Sequence, residues 1–270
     1  MNAPLAQATE DLFRSGGPLF REKMAGESRL LAERLDIAFD GNPFRALETR
    51  FLVAATGARV GTHLLCQKLT DHGIYVNEFF NWAQLFGGAR KANMTRLEDY
   101  IELALSRFTV DGVFGVKGEA NILVPMVLAR EFPQYSGDWK VVFLAREDLV
   151  MQAVSQLKAE LTGAYVAASE PTRALTDADY DAERIAGIVA WNQTMTATWE
   201  EIFEAFDMTP LRLEYEDLAA DPAAVAARAA QFIGLRGAPV PDRRPLMQRQ
   251  ADALNLRWAE RFRAEHPLVG

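Results

Sequence analysis

The amino-acid sequence predicts a three-layer α/β domain with a central, mostly parallel sheet flanked by helices, and three observations carry that expectation. Four short apolar runs, FLVAA at 51–55, GVFGV at 112–116, KVVFL at 140–144 and LRLEY at 211–215, have the length and apolar continuity of strands buried on both faces. Most are followed by sequence with apolar residues at helical spacing, the alternation that builds such sheets. The 270 residues are 49% hydrophobic and 24% charged, enough to bury a sizeable core, which excludes a disordered, collagen-like or disulfide-stapled chain.

Residues 1–48 read as an N-terminal helical extension, broken at Gly16-Gly17 and then apolar at Leu30, Leu31, Leu35 and Ile37; the α/β domain occupies 49–270. The first strand runs into Thr56-Gly57-Ala58-Arg59-Val60-Gly61-Thr62-His63 and a helix carrying Leu64, Leu65 and Leu69, which Gly73 can close in a left-handed cap. A mixed segment at 79–111 holds Gly87-Gly88 and a helix from Leu97 to Phe108. Lys117 ends the second strand. After the third comes Ala145-Arg146-Glu147-Asp148 and a helix whose Leu149, Val150, Ala153, Val154, Leu157 and Leu161 share one side, with Asp148, Gln152 and Ser155 opposite. A polar loop fills 162–181, and after the fourth strand Asp221-Pro222 cap and open a helix to Phe232, leaving Glu216 and Asp217 a structural part. Long insertions of this kind form the walls of sites on open sheets.

Charge narrows the partners. With 29 basic against 37 acidic residues the net charge is −8, which speaks against nucleic-acid binding; an anionic ligand must be held by a few local arginines. Cys66, the single cysteine, and three histidines supply neither a structural disulfide nor a zinc ligand set. No apolar stretch reaches a membrane span, and the opening MNAPLAQATEDLF lacks a basic end and apolar run, so a cytoplasmic location is expected.

Two turns carry candidate chemistry. In the first, Gly57 and Gly61 would let backbone N–H groups approach a phosphate- or sulfate-type oxyanion at the positive end of a helix, with Arg59 adding charge and Thr62 a hydroxyl. A nucleotide triphosphatase loop would need G-x-x-x-x-G-K-[ST], and no Gly-Lys pair stands here. An ordinary βα connection fits these residues as well as an anion loop does. In the second turn, Arg146 lies off the carboxyl end of a strand, where open sheets bind ligands, and Ser155 nine residues on can share a phosphate with it. Taken alone, the same segment reads rather as a solvated helix with Arg146 paired to Asp148.

The two turns together resemble the phosphosulfate-dependent sulfotransferases, and within them the bacterial carbohydrate sulfotransferases of the trehalose sulfotransferase type. TGARVGTHLL is similar to that family's A-S/T-x-R-S-G-S-T-L-L, and Arg146-Glu147-Asp148 with Gln152-Ala153-Val154-Ser155 to its R-x-D-x-x-x-Q-A-V-S, followed by Thr162-Gly163. GVFGVK at 112–117, NEFF at 77–80, YEDL at 215–218 and Arg249-Gln250-Ala251-Asp252 with Trp258 and Arg261-Phe262-Arg263 resemble its remaining segments in order. The loop departs from the pattern in one extra residue before Arg59 and in Val60 and His63, which replace small hydroxyl residues.

The resemblance implies a P-loop-type sulfotransferase fold and transfer of a sulfuryl group, without a metal, from 3′-phosphoadenosine 5′-phosphosulfate (PAPS) to a hydroxyl of a sugar or glycolipid. Residues 56–63, with Arg59 and Thr62 foremost, take the 5′-phosphosulfate; Arg146 and Ser155 take the 3′-phosphate, Arg249 lends charge, and Glu78 is the general base. A positioned base of this kind needs a pKa near neutrality, for which Phe79, Phe80 and Trp82 would supply apolar surroundings. His63, in the loop itself, can donate to the leaving oxygen, and Lys117 can reach the acceptor or the sulfonate; His72, near a helix end, suits capping. Two other readings stand beside this one, a P-loop nucleotide-dependent kinase or hydrolase and a non-catalytic nucleotide-binding relative. A homodimer is left open.

Overall fold

A strand buried on both faces needs a hydrogen-bonding neighbour on each side, and β1 (Thr49–Ala55) has both. It lies inside a four-stranded, all-parallel sheet of order β2 (Val113–Glu119), β1, β3 (Trp139–Ala145), β4 (Leu211–Glu214). The computed structural model describes residues 33–35, 49–119, 139–165, 170–205, 207–236 and 252–267. Each of the four apolar runs is a strand, with two adjustments. Tyr215 opens a helix rather than closing β4, and Lys117 lies within β2, opposite Val53, because that strand continues to Glu119.

Alternation along β1 fills the two faces of the sheet. Phe51, Val53 and Ala55 pack with Leu65 and Leu69 of α1 (Thr62–Thr70) and with Val225, Ala229 and Ile233 of an α7 helix that spans Pro222–Ile233. Leu52 and Ala54 face the opposite layer, which holds Leu85 of α2 (Trp82–Lys91), Leu97 and Ile101 of α3 (Leu97–Phe108) and Met195, Trp199 and Phe203 of α5 (Ala182–Ala205). Along its first half α5 also packs with α4 (Leu149–Thr162) and α8 (Ala253–Glu265), joined through Val150, Val154, Leu157, Ile185, Val189, Trp258 and Phe262. The short α6 (Tyr215–Ala220) completes the helices among the described residues. Glu33 and Arg34 are helical and exposed and Leu35 is buried in the core; the other residues of the expected N-terminal extension lie outside the described residues.

Local chemistry sets the ends of these elements. Asp148 caps α4 by accepting the Met151 N–H at 2.9 Å, and Gly163 ends it at φ +71°. Asp221 accepts the Ala224 N–H with Pro222 in the first turn of α7, as expected from sequence. Gly73 does adopt a left-handed φ of +83°, three residues beyond the end of α1. Helix α4 differs from its simple two-sided pattern: Gln152, on the polar side, is fully buried because that side meets the loop after β1.

Close approach of β1 and β2 depends on Gly115, paired with Phe51; a methyl group there would lie 2.2 Å from the Phe51 ring. Gly115→Ala is expected to destabilise the fold by roughly 1–3 kcal/mol, the usual cost of overpacking a core. A lower urea midpoint at unchanged slope is the measurement.

Candidate active site

The loop after β1 alternates backbone handedness. Gly57, Arg59 and Gly61 have φ of +155°, +66° and +91°, while Ala58 and Val60 between them stay at negative φ. Such alternation curls successive N–H groups toward one point and forms an anion-binding concavity. Gly61 is also the N-cap of α1 and brings no side chain to the first turn, so the helix start presents its N–H groups and positive dipole end there.

Four side chains hold this backbone from behind. Gln152 Nε2 donates to the Ala58 carbonyl at 3.0 Å and Arg146 Nη1 to the Arg59 carbonyl at 3.4 Å. The Tyr215 ring backs Gly61, where a Cβ would come within 2.7 Å of it, and Asn192 backs Gly57, where a Cβ would come within 2.3 Å of its Oδ1. Two turns further along α5, Trp199 Nε1 donates to the Ala55 carbonyl at the end of β1.

Arg59 extends from the loop to α4, its Nε donating to Ser155 Oγ at 3.0 Å and its Nη1 to the Tyr165 carbonyl. Burial, aided by the charge of Arg146 and opposed by Tyr215, lowers its pKa. Arg59 and Ser155 line one end of a cavity of about 620 Å³, whose walls include Lys158, Pro171, Leu175 and Asn255. Arg146 itself is buried beneath the loop, with its guanidinium 4.4 Å from the centre of the Tyr215 ring and Glu216 3.8 Å from its Nε. It does not pair with Asp148, which caps α4 and binds Arg263 at 2.7 Å instead. Thus Ser155 meets Arg59, and Arg146 approaches the same loop from the far side. Arg249 lies outside the described residues, and Arg261 pairs outward with Glu265.

A second cluster forms at the same edge of the sheet. The chain at 74–80 runs alongside β2, where Asn77 bridges Val116 and its carbonyl accepts the Lys117 N–H at 3.0 Å. That pairing delivers Glu78 to Lys117, with Oε1 2.6 Å from Nζ. His63, from the first turn of α1, places Nε2 3.0 Å from the same Nζ and 4.0 Å from the Glu78 carboxylate. An ammonium only donates, so Nε2 accepts and the imidazole carries its proton on Nδ1. Desolvation, and then the Lys117 charge, push the His63 pKa down to about 4 against the opposing pull of Glu78. Of the aromatic surroundings expected for Glu78, Phe79 and Phe80 turn into the core and Lys117 meets the carboxylate instead; the side chain of Trp82 lies outside the described set.

With this geometry in place the comparisons are decisive. The Stf0 sulphotransferase family model matches residues 50–265. The chain belongs to the Stf0 sulphotransferase family. Its similarity extends to a trehalose 2-sulfotransferase of Mycolicibacterium smegmatis, 27% identical over 64% of this chain and 68% of that one. A trehalose 2-sulfotransferase of Mycobacterium tuberculosis is 30% identical over 48% of this chain and about half of its own length. Family membership makes the chain a sulfotransferase and displaces the kinase reading, in line with the missing loop lysine. No described helix of this sulfotransferase is long and apolar enough to cross a membrane.

Two residues of the site receive no role from the sequence, although Tyr215 lies within the YEDL segment. Asn192 falls on the apolar stripe of α5 with Ile185, Val189, Met195 and Trp199, all buried, and a polar residue on such a stripe is the signal that marks it. Tyr215 reads as a strand end and gives no sign that its ring supports Gly61.

The depressed His63 pKa has a measurable sign. Because its folded value lies below the ordinary 6.5, the unfolded chain binds more protons between the two values. Stability from this group is complete above pH 6.5 and is lost as pH falls toward about 4. An imidazole NMR titration with a midpoint near 4 is expected; a midpoint near 6.5 would remove Lys117 from its surroundings.

Proposed function

We propose that this chain transfers a sulfuryl group from PAPS to a hydroxyl of a carbohydrate, with Glu78 taking the acceptor's proton. The observation that carries the reading is the placement of a concave N–H loop and of the Glu78–Lys117–His63 cluster at the carboxyl ends of adjacent strands, joined through His63. The residues fit the donor. A loop with three positive φ values and an uncapped helix start suits the 5′-phosphosulfate, and Arg59 and Ser155 border a cavity large enough for a nucleoside. When bound, the donor supplies the sulfuryl group and a phosphate leaving group, so the protein's task is to align two oxygens and stabilise charge.

Each residue then has a defined duty. The loop N–H groups, Arg59 and Thr62 bind and orient the phosphosulfate; Ser155, with Arg146 below the loop, holds the 3′-phosphate. Glu78 Oε accepts the proton of the attacking hydroxyl, and Lys117 fixes that carboxylate at 2.6 Å. Neutral His63, its Nε2 committed to Lys117, has Nδ1–H to offer. The named relatives act on trehalose, which favours a disaccharide acceptor for this chain too. A cytoplasmic site of action accords with the lone Cys66 remaining a thiol.

Glu78→Gln is expected to lower the turnover number ~10²–10⁴-fold, the usual contribution of a positioned base, while leaving donor affinity intact. Steady-state kinetics on a sugar acceptor with direct nucleotide titration tests it, and unchanged turnover would move the base elsewhere. Arg146→Ala is expected to weaken 3′-phosphoadenosine 5′-phosphate by roughly 1.5–3 kcal/mol and to spare adenosine 5′-phosphate. Equal losses for both nucleotides in calorimetry would make Arg146 a support of the loop alone.

A further inference from the structure

Asn192 breaks a rule that the rest of α5 obeys. It is fully buried on a stripe shared with Ile185, Val189, Met195 and Trp199, and neither Nδ2 nor Oδ1 has a hydrogen-bond partner among the described residues. Thr56 Oγ1 and Gln152 Oε1 are buried and unpaired in the same way. All three surround Gly57: Thr56 precedes it, and a Cβ built on Gly57 would lie 2.3 Å from Asn192 Oδ1 and 3.6 Å from Gln152 Nε2. A leucine would fit the stripe and leave nothing unsatisfied. Polar groups kept unpaired in a core at a stability cost gather where function needs them, and what this group touches is the first positive-φ residue of the anion loop.

We propose that Asn192 is a positioning residue for donor binding, acting through Gly57. Its amide fills the space into which the Thr56–Gly57 backbone would otherwise relax, and with Thr56 and Gln152 it forms a polar backing against which the loop can hold its N–H groups forward. That backing is too enclosed to meet the donor itself. The inference rests on the reading of 56–61 as the donor's anion loop, and it adds that the loop is preorganised by α5.

The test is Asn192→Leu, which keeps the branching and the number of side-chain heavy atoms and removes the polar ones. Its expected signature is a melting temperature equal to or above that of the native protein, with affinity for 3′-phosphoadenosine 5′-phosphate reduced tenfold or more. Native-like affinity in a folded Asn192→Leu protein would overturn the proposal. Should that variant not fold, Asn192→Ser decides through kinetics: a donor KM raised at least tenfold with the acceptor KM unchanged supports positioning, and two unchanged KM values refute it. Titration of the unsubstituted protein separates the two levels of inference. If that protein does not bind the bisphosphate, the donor reading itself fails; if it binds and the variants bind equally, only the role of Asn192 fails.

Discussion

The site depends on a stretch of backbone that would not hold its shape alone. Three positive φ values in five residues, one of them at an arginine, place the loop after β1 in conformations that cost about 1–2 kcal/mol for a residue with a Cβ. The fold opposes that cost with contacts from four separate elements: Gln152 on α4, Asn192 on α5, Arg146 beyond β3 and Tyr215 at the start of α6. Parallel pairing is what brings them together, since β1, β3 and β4 all end at the same edge. The loop's curvature is therefore a property of the whole sheet.

Lys117 imposes the second constraint. A strand lysine only 4% exposed must have its charge met, and it is met from both sides, by Glu78 and by the His63 ring. Removing either partner would leave a buried cation under-satisfied, so the three groups form one unit in which each fixes the others. Cys66 lies below it with its thiol pushed up to about 12, first by burial and further by Glu78, and so stays protonated and inert. The reactive edge is thus held to groups that bind or move protons between oxygens.

Much of this was legible in the sequence, because strands buried on both faces write themselves as uninterrupted apolar runs. The helix start marked by Asp221-Pro222 was equally plain, as were the members of the two clusters, Arg59, Ser155, Glu78, Lys117 and His63; the caps Asp148 and Gly163 did not read as such. What the chain did not disclose was how they pair. Sequence spacing joined Ser155 to Arg146, since both follow β3, but the loop's left-handed Arg59 directs its own side chain to that serine and leaves Arg146 underneath. Likewise NEFF suggested a carboxylate wrapped in aromatic rings. The chain turns directly after Glu78, with the Asn81 N–H donating to the Glu78 carbonyl, so both phenylalanines enter the core while the carboxylate goes to Lys117. Pairings between elements far apart in sequence are set by tertiary geometry, and no periodicity records them.

Charge placement completes the picture. Within a chain of net charge −8, many of the described cations away from the loop after β1 are paired with acids. Arg212 makes two 2.6 Å bonds to Glu200, Arg184 binds Glu160, Arg263 binds Asp148 and Lys158 binds Asp252. Near the loop the balance differs: Arg59 and Arg146 lie close enough for each charge to be felt by the other, and Lys117 stands nearby with one carboxylate for its charge. Positive charge gathered at one sheet edge of a chain of net negative charge suits a compact anion better than an extended polyanion. The overall acidity, which speaks against nucleic acid, acts in the same direction.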